Sequence, residues 1–339
     1  MTDLTTSIGN VSLDFCVYNA SGCWCTTKKE LDELDDSNSG AIVSKSSTLE
    51  SREGNQEPRF HRNYYGSINS MGVPNLGYKF YTHYSFTVQN KPFIQSIIPF
   101  SEKELVEIID NIGKTTKDGP YLIELNLSCP NIVNKQIVGY DFETMAEYLK
   151  ELTYLDYDHL ILGIKLPPYN EDWEFDKVVD IIKSHNCDIT NKIKIKFITC
   201  INSLVNGLFV DPVNETTVIK PKSGYGGIGG SYCKPIALSN VNRFYKRIGR
   251  LKRHTPSSLN LSDSEHSNLG SNISEGNEID IIGCGGVTDG SDVFEHILCG
   301  ASAVQVGTQL TKDGVKIFDR LELELKNIMI NKGYTKISD

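Results

Sequence analysis

The segment Asn126-Leu-Ser-Cys129-Pro-Asn131 places a thiol between two amides. It leaves a strand-like run and enters a loop, and Pro130 ends the strand ladder and fixes the turn. A thiol on a rigid bend is a base or nucleophile once ionised, and a small buried apolar group otherwise. Asn126 and Asn131 each bring a donor and an acceptor, a set suited to an amide- or imide-bearing ring. Asn69, in the polar, glycine-dense run Gly66 to Gly77, and Asn202-Ser203 at another strand end add amides of the same kind. That glycine-dense run contains apolar residues and reads as an ordered loop or hairpin. Lys45 and Lys165 also stand at strand ends, where they could flank an anionic ring or a carboxylate, or simply be solvated.

Glycines follow several strands. Gly224-Tyr-Gly226-Gly227-Ile-Gly229 fits a dinucleotide pattern only formally. No clean apolar strand precedes it, and Gly249 and Arg250 stand where an acidic residue is needed. Gly283-Cys-Gly285-Gly286 and Gly307-Thr308 say more, because each follows an apolar strand core. Glycine turns after the last two strands are where an α/β barrel binds a phosphate, although tight turns alone also need glycine.

These groups need elements that hold them. Strand-like runs occur at Ala41 to Lys45, Pro92 to Ile97, Tyr121 to Leu127, Leu160 to Lys165, Lys194 to Thr199, Ile279 to Ile282 and Ala303 to Val306. Helical spacing lies between them. Ser101 to Glu104 reads as a capping box before Leu105, Ile108, Ile109 and Ile112, with Gly113 as the stop. Asp141 caps a helix carrying Met145, Leu149 and Leu152. Further helices are expected over Leu238 to Ile248, Asp292 to Cys299 and Ile317 to Ile328. Strand-then-helix repetition predicts a parallel α/β sheet. Polar and glycine residues after so many strands favour an eight-stranded (β/α)8 TIM barrel over an open sheet, which uses mainly the strands at its switch point.

The chain has 339 residues and a formal net charge of −9, a balance that argues against nucleic acid and anionic membrane surfaces as partners. The first residues show no basic and apolar signal pattern, and no apolar run approaches the roughly 18 residues of a membrane span. A cytoplasmic protein is expected, with its nine cysteines reduced. Cys23-Trp-Cys25 lacks the spacing of a zinc site, so no metal is expected. The Ser/Asn-rich stretch at about 253–278 breaks the rhythm and reads as a disordered surface insertion in a single domain spanning 1–339.

Taken together, the motifs resemble those of dihydroorotate dehydrogenases of class 1A, the soluble, fumarate-dependent branch. The resemblance runs through Asn19 to Gly22, Lys45 to Asn55, Gly66 to Gly77, Asn126 to Asn131 and Gly163 to Pro168. It continues in Asn202-Ser203, Asn206 to Phe209, Ile219 to Lys222, Gly224 to Gly230, Gly285-Gly286 and Phe294 to Ala301. It implies an FMN-containing barrel with extra β-hairpins over its carboxyl-end face, acting as a homodimer in de novo pyrimidine synthesis. Dihydroorotate would be oxidised to orotate, with a hydride passing from C6 to the flavin and a proton from C5 to Cys129. Fumarate would then be reduced to succinate in the same site by ping-pong kinetics. Carried over residue by residue, FMN would meet Ala20, Ser21, Gly22, Lys45, Ser46, Asn126, Lys165, Ile201, Gly226, Gly227, Gly285, Gly286, Gly307 and Thr308. Substrate would meet Lys45, Asn69, Met71, Gly72, Val73, Asn126, Asn131, Asn202 and Ser203.

Two features depart from the family pattern. The loop after Asn131 reads Ile-Val-Asn-Lys-Gln-Ile-Val in place of a Pro-Gly-Lys-Pro lid, which bears on rate more than on identity. The Ser/Asn-rich stretch is the other. Two further readings fit less well. A tRNA-modifying dihydrouridine synthase would need a basic face, against the charge of −9, and a non-catalytic paralogue would most simply lack the cysteine that is intact at position 129.

Overall fold

The computed structural model describes residues 2–128, 137–248 and 279–339. Cys129, Asn131, residues 132–136 of the loop after it and the 253–278 stretch therefore lie outside the described residues. Eight strands form one parallel sheet: β1 (Val17–Asn19), β2 (Ile42–Val43), β3 (Phe93–Ile97), β4 (Tyr121–Asn126), β5 (Leu160–Leu166), β6 (Ile195–Cys200), β7 (Asp280–Cys284) and β8 (Ala303–Val306). Their order is β1-β8-β7-β6-β5-β4-β3-β2. The ends of that order meet. Gly40 N donates to Val17 O at 2.8 Å, and the buried Asn19 amide bridges β1 to β2, donating to Val43 O at 2.7 Å and accepting from Val43 N at 2.8 Å. The sheet is thereby a (β/α)8 barrel, the architecture the sequence predicts. The helices that follow its strands are Lys28–Asp35, Tyr78–Ser85, Glu102–Thr115, Phe142–Glu151, Asp172–Cys187, Lys234–Ile248, Gly290–Leu298 and Ile317–Lys332.

Alternation along each strand builds the interior in layers, because residues two apart share a face. Leu122, Ile161, Phe197, Ile282 and Ala303 pack together inside the barrel, while neighbours such as Ile123, Leu125, Ile198 and Val304 face the helices. Gly163 makes room for this layer: a Cβ there would lie 2.1 Å from the Phe197 ring. One step further along the strands the side chains become polar at Ser96, Glu124, Thr199 and Gln305, and one step beyond that, level with Asn126, stands Lys165, all five buried. At the opposite end a hairpin, Thr6–Ile8 with Val11–Leu13, drives Ile8 and Leu13 into the apolar layer. Its Gly9 N donates to Asp280 Oδ2 at 2.8 Å, at the start of β7. The amino end is thus plugged.

A second, antiparallel sheet is made of Phe60–Arg62, Gly66–Asn69, Tyr225–Gly230 and Leu204–Leu208. Two of its strands come from the loop after β2 and two from the loop after β6. The Gly224 to Gly229 segment is therefore largely a strand, and the dinucleotide pattern in it is incidental. The helix over 102–115 runs past Gly113, whose backbone lies against the Tyr157 ring, so this glycine serves close packing and not termination. Ser101 caps that helix through Glu104 N, while the Glu104 carboxylate accepts from Phe100 N, one residue before the predicted reciprocal bond. The helix expected from Asp292 begins at Gly290, because Asp289 supplies its cap.

Candidate functional site

Strand ends set the site. β1 runs into Ala20-Ser21-Gly22, β2 into Lys45-Ser46, β4 into Asn126, β5 ends beside Lys165, and β6 runs into Ile201-Asn202-Ser203. A line of hydrogen bonds crosses them. Ser21 Oγ and Ser46 Oγ are 3.0 Å apart, and Ser46 Oγ is 2.9 Å from Ser96 Oγ. Asn126 Nδ2 donates to Ser46 Oγ at 3.0 Å. Asn126 Oδ1 accepts from Asn202 Nδ2 at 3.3 Å and from Ser128 N at 3.1 Å. Asn202 Oδ1 in turn accepts from Ser203 N at 2.8 Å. Five residues predicted for the site, from four separate strands, thus form one continuous polar line.

The antiparallel sheet adds its residues from above. Asn69 Nδ2 donates to Gly227 O at 3.2 Å, and Ser67 Oγ is 3.0 Å from Thr308 Oγ1. The glycines allow this closeness: a Cβ on Gly227 would stand 2.3 Å from Ser203 Oγ, and one on Gly226 would meet the Asn69 carbonyl at 2.5 Å. Ile201 N donates to Cys284 O at 2.8 Å, which ties the β6 end to the Gly285-Gly286 turn. Met71, Gly72 and Val73 stand further out. Met71 O accepts from Asn55 N at 2.8 Å, and Asn75 Nδ2 donates to Thr48 Oγ1 at 2.9 Å, which ties this run to the segment that carries Lys45.

Charge is concentrated beneath this line. Lys45 Nζ donates to Gly22 O at 2.7 Å. Lys165 is 3% exposed, and its Nζ donates to Gln305 Oε1 at 2.9 Å, with Glu124 Oε1 3.9 Å away. Burial alone would push the Lys165 ammonium down; Cys284 where it is ionised, and the Glu124 carboxylate, push it up, and the net direction is up. It is a charged group at neutral pH. Burial pushes the Cys23 thiol up to about 11 and the Cys25 thiol up to about 12, and raises that of Cys284. These three thiols are therefore protonated at neutral pH. Burial likewise lowers His296, so its ring is neutral. Its Nε2 lies 3.1 Å from Gly285 O and must carry the proton, so the ring braces the Gly285-Gly286 turn from below.

The residues present fit a flat, phosphate-bearing cofactor. Ala20, Ser21 and Gly22 are small, and a Cβ added to Gly22 would meet nothing within 4 Å, so that wall leaves room for a ring. Two lysines supply positive charge, and glycine turns stand at the ends of β7 and β8. Serine and amide groups line the other side.

Residues 3–252 and 271–329 match the family described as dihydroorotate dehydrogenase. The chain belongs to that family. Membership makes it an oxidoreductase acting on a CH–CH bond. Two relatives, from Streptococcus agalactiae serotype Ia (strain A909) and Streptococcus pyogenes serotype M5 (strain Manfredo), are each 43% identical over 343 residues, covering 100% of this chain and 97% of theirs. Both are described as a candidate dihydroorotate dehydrogenase A (fumarate), in keeping with class 1A. The crystal structure of the Eimeria tenella DHODH in complex with ferulenol superposes with a TM-score of 0.70 at 17% identity, over 99% of this chain and 87% of that one, a likeness of fold.

Within this dihydroorotate dehydrogenase fold, five polar residues around the site escape the sequence reading: Ser96, Glu124, Thr199, Gln305 and His296. Four carry a signal. Each of Ser96, Glu124, Thr199 and Gln305 is a polar residue two places after an inward apolar residue of its strand, Ile94, Leu122, Phe197 and Ala303. A polar group there must have a partner. No described helix is long and apolar enough to cross a membrane.

Proposed function

We propose that this protein oxidises (S)-dihydroorotate to orotate in the cytosol, with FMN as its bound cofactor and fumarate as the acceptor, which is reduced to succinate in the same site. The observation that carries the reading is the polar line Ser21–Ser46–Asn126–Asn202–Ser203 beside two lysines, in a chain of this family. The proposed reaction is the redox step of pyrimidine synthesis, and the acting form is a homodimer.

FMN supplies a two-electron acceptor for the hydride that leaves C6. The chain's own groups do the rest. Ala20, Ser21 and Gly22 leave space along one edge of the ring, with Ser46, Asn126, Ile201, Gly226 and Gly227 around it. Lys45 and Lys165 hold positive charge close by, and Gly285, Gly286, Gly307 and Thr308 take the phosphate end. Asn69, Met71, Gly72, Val73, Asn126, Asn131, Asn202 and Ser203 orient the planar substrate through its amide edges, with Lys45 near its anionic group. Cys129 takes the C5 proton on its sulfur. Cys23, Cys25 and Cys284 are held protonated, which leaves them unsuited to that task. A thiolate is the competent base, so the rate of substrate oxidation rises with pH as Cys129 ionises.

The test is anaerobic. The purified FMN-loaded protein is mixed with dihydroorotate, then with fumarate, while the visible flavin band is followed. Bleaching followed by recovery is expected. A band that never bleaches sinks the substrate assignment, and bleaching without recovery sinks the acceptor. Cys129→Ala keeps the yellow colour and loses bleaching at neutral pH; near-normal bleaching by this variant removes Cys129 as the base.

A further inference from the structure

The polar layer under the site has a feature the reaction chemistry does not require. Glu124 is fully buried at the barrel centre. Its Oε2 accepts from Thr199 Oγ1 at 2.8 Å and from Gln305 Nε2 at 2.8 Å. A carboxylate oxygen only accepts, so the Gln305 amide has to present its NH2 to Glu124. Its carbonyl is then left for Lys165 Nζ, which donates to it at 2.9 Å. The flipped amide would set an NH2 group against the ammonium and an oxygen against the carboxylate. Both contacts would be repulsive, so the amide has one orientation.

The distances separate two roles. Glu124 Oε1 is buried, has no hydrogen-bond partner and stands 3.9 Å from Lys165 Nζ. Glu124 therefore balances the charge of Lys165 without tethering it. The tether is Gln305, with the Cys284 side chain as a second hydrogen-bonding partner of Lys165. The three groups come from β4, β5 and β8, so the position of the ammonium is referred to three strands of the barrel wall.

We propose that Gln305 is a positioning residue, oriented by Glu124, which Thr199 holds in turn, so that its carbonyl fixes the Lys165 ammonium at the floor of the site. This deepens the functional reading above and rests on its placement of Lys165 beside the flavin. A charge already in place needs no reorganisation when negative charge develops next to it. A lysine on a four-carbon stem without such a tether samples several rotamers, and a misplacement of about 1 Å can cost roughly 100-fold in rate.

The experiment measures the reduction potential of the bound flavin in FMN-loaded wild type, Gln305→Leu, Glu124→Gln and Lys165→Gln. Turnover, FMN affinity and melting temperature are measured beside it. Gln305→Leu removes the tether with little change of volume. It is expected to lower the potential and to cut turnover by about 100-fold, with FMN affinity and melting close to wild type. Lys165→Gln lowers the potential further. Gln305→Met, measured alongside, lowers the potential likewise and carries the prediction if Gln305→Leu does not fold; Glu124→Gln removes the counter-charge of Lys165 and shifts the potential the opposite way. A wild-type potential and turnover in Gln305→Leu, with a shifted potential in Lys165→Gln, overturns the proposal and leaves the site reading standing. A wild-type potential in Lys165→Gln overturns the site reading and the proposal with it.

Discussion

The two ends of the barrel interior are built from the same eight strands and do opposite things. At the amino end Leu122, Phe197, Ile282 and Ala303 close on Ile8 and Leu13 of the N-terminal hairpin in a largely apolar filling. Two residues further along the same strands stand Glu124, Thr199, Cys284 and Gln305. Apolar burial is non-directional and tolerates repacking, so it stabilises without fixing any atom to a fraction of an ångström. A buried polar layer is directional, costly when a partner is lost, and rigid when complete. The barrel keeps its stability at one end and its geometry at the other, and the cost of ordering the polar end is met by burial elsewhere.

Substitutions should separate the ends. The largest effect is expected from Lys165→Gln. Removing a preorganised charge from a water-poor site costs about 10²- to 10³-fold in turnover. It also leaves Glu124 buried without a cation, which costs about 3–5 kcal/mol of stability. The double variant Lys165→Gln/Glu124→Gln restores much of the stability and none of the turnover. Denaturant melts and steady-state rates on the three proteins check this, and recovery of turnover in the double variant would break the division between the ends.

Phe197→Ala probes the opposite end. The ring is fully buried, and its loss costs about 3–5 kcal/mol. Turnover per folded, FMN-loaded molecule stays near that of wild type, because the polar layer lies between Phe197 and the site. A large fall in turnover at full flavin occupancy would show that the two layers are coupled. Gly163→Ala perturbs the same contact by insertion, and overpacking of about 1–3 kcal/mol is expected.

How much of this is legible in the sequence follows the same division. Seven of the eight barrel strands announce themselves as apolar runs. The strand that does not, Val17–Asn19, is three residues long and is held in place by the Asn19 amide, a tertiary contact that no local pattern encodes. The N-terminal hairpin escapes for a similar reason: Ile8 and Leu13 are isolated apolar residues whose burial depends on the open end of a barrel formed later in the chain. The residues expected to face ligands stand out in the sequence because asparagine, glycine and lysine gather at strand ends and in the loops after them. The layer that supports them is not, because Glu124 and Gln305 are single polar residues inside strands and read locally as interruptions. Their meaning appears only when β4, β5, β6 and β8 are side by side.

The smallest effect concerns the rim, where the helix after β7 begins. Asp292 Oδ2 accepts from Thr288 N at 2.7 Å and Thr288 Oγ1 at 2.6 Å, and its Oδ1 pairs with Lys234 Nζ at 2.7 Å. Burial pushes this carboxyl up, but the Lys234 and Thr288 bonds outweigh it and hold it below its ordinary value of 3.8. A carboxylate lowered in the native state stabilises the fold above its unfolded value, and the contribution is lost as pH falls through 3.8 toward the native value. Asp292→Asn should therefore be less stable than wild type at about pH 6, and the gap between the two urea midpoints should narrow steadily below about pH 4. This segment continues from the Gly285-Gly286 turn, so the comparison is made on FMN-free protein, where ligand binding adds nothing to either midpoint. A gap that stays constant on acidification would mean that Asp292 acts through packing alone, and that the ion pair with Lys234 is a surface contact of little consequence.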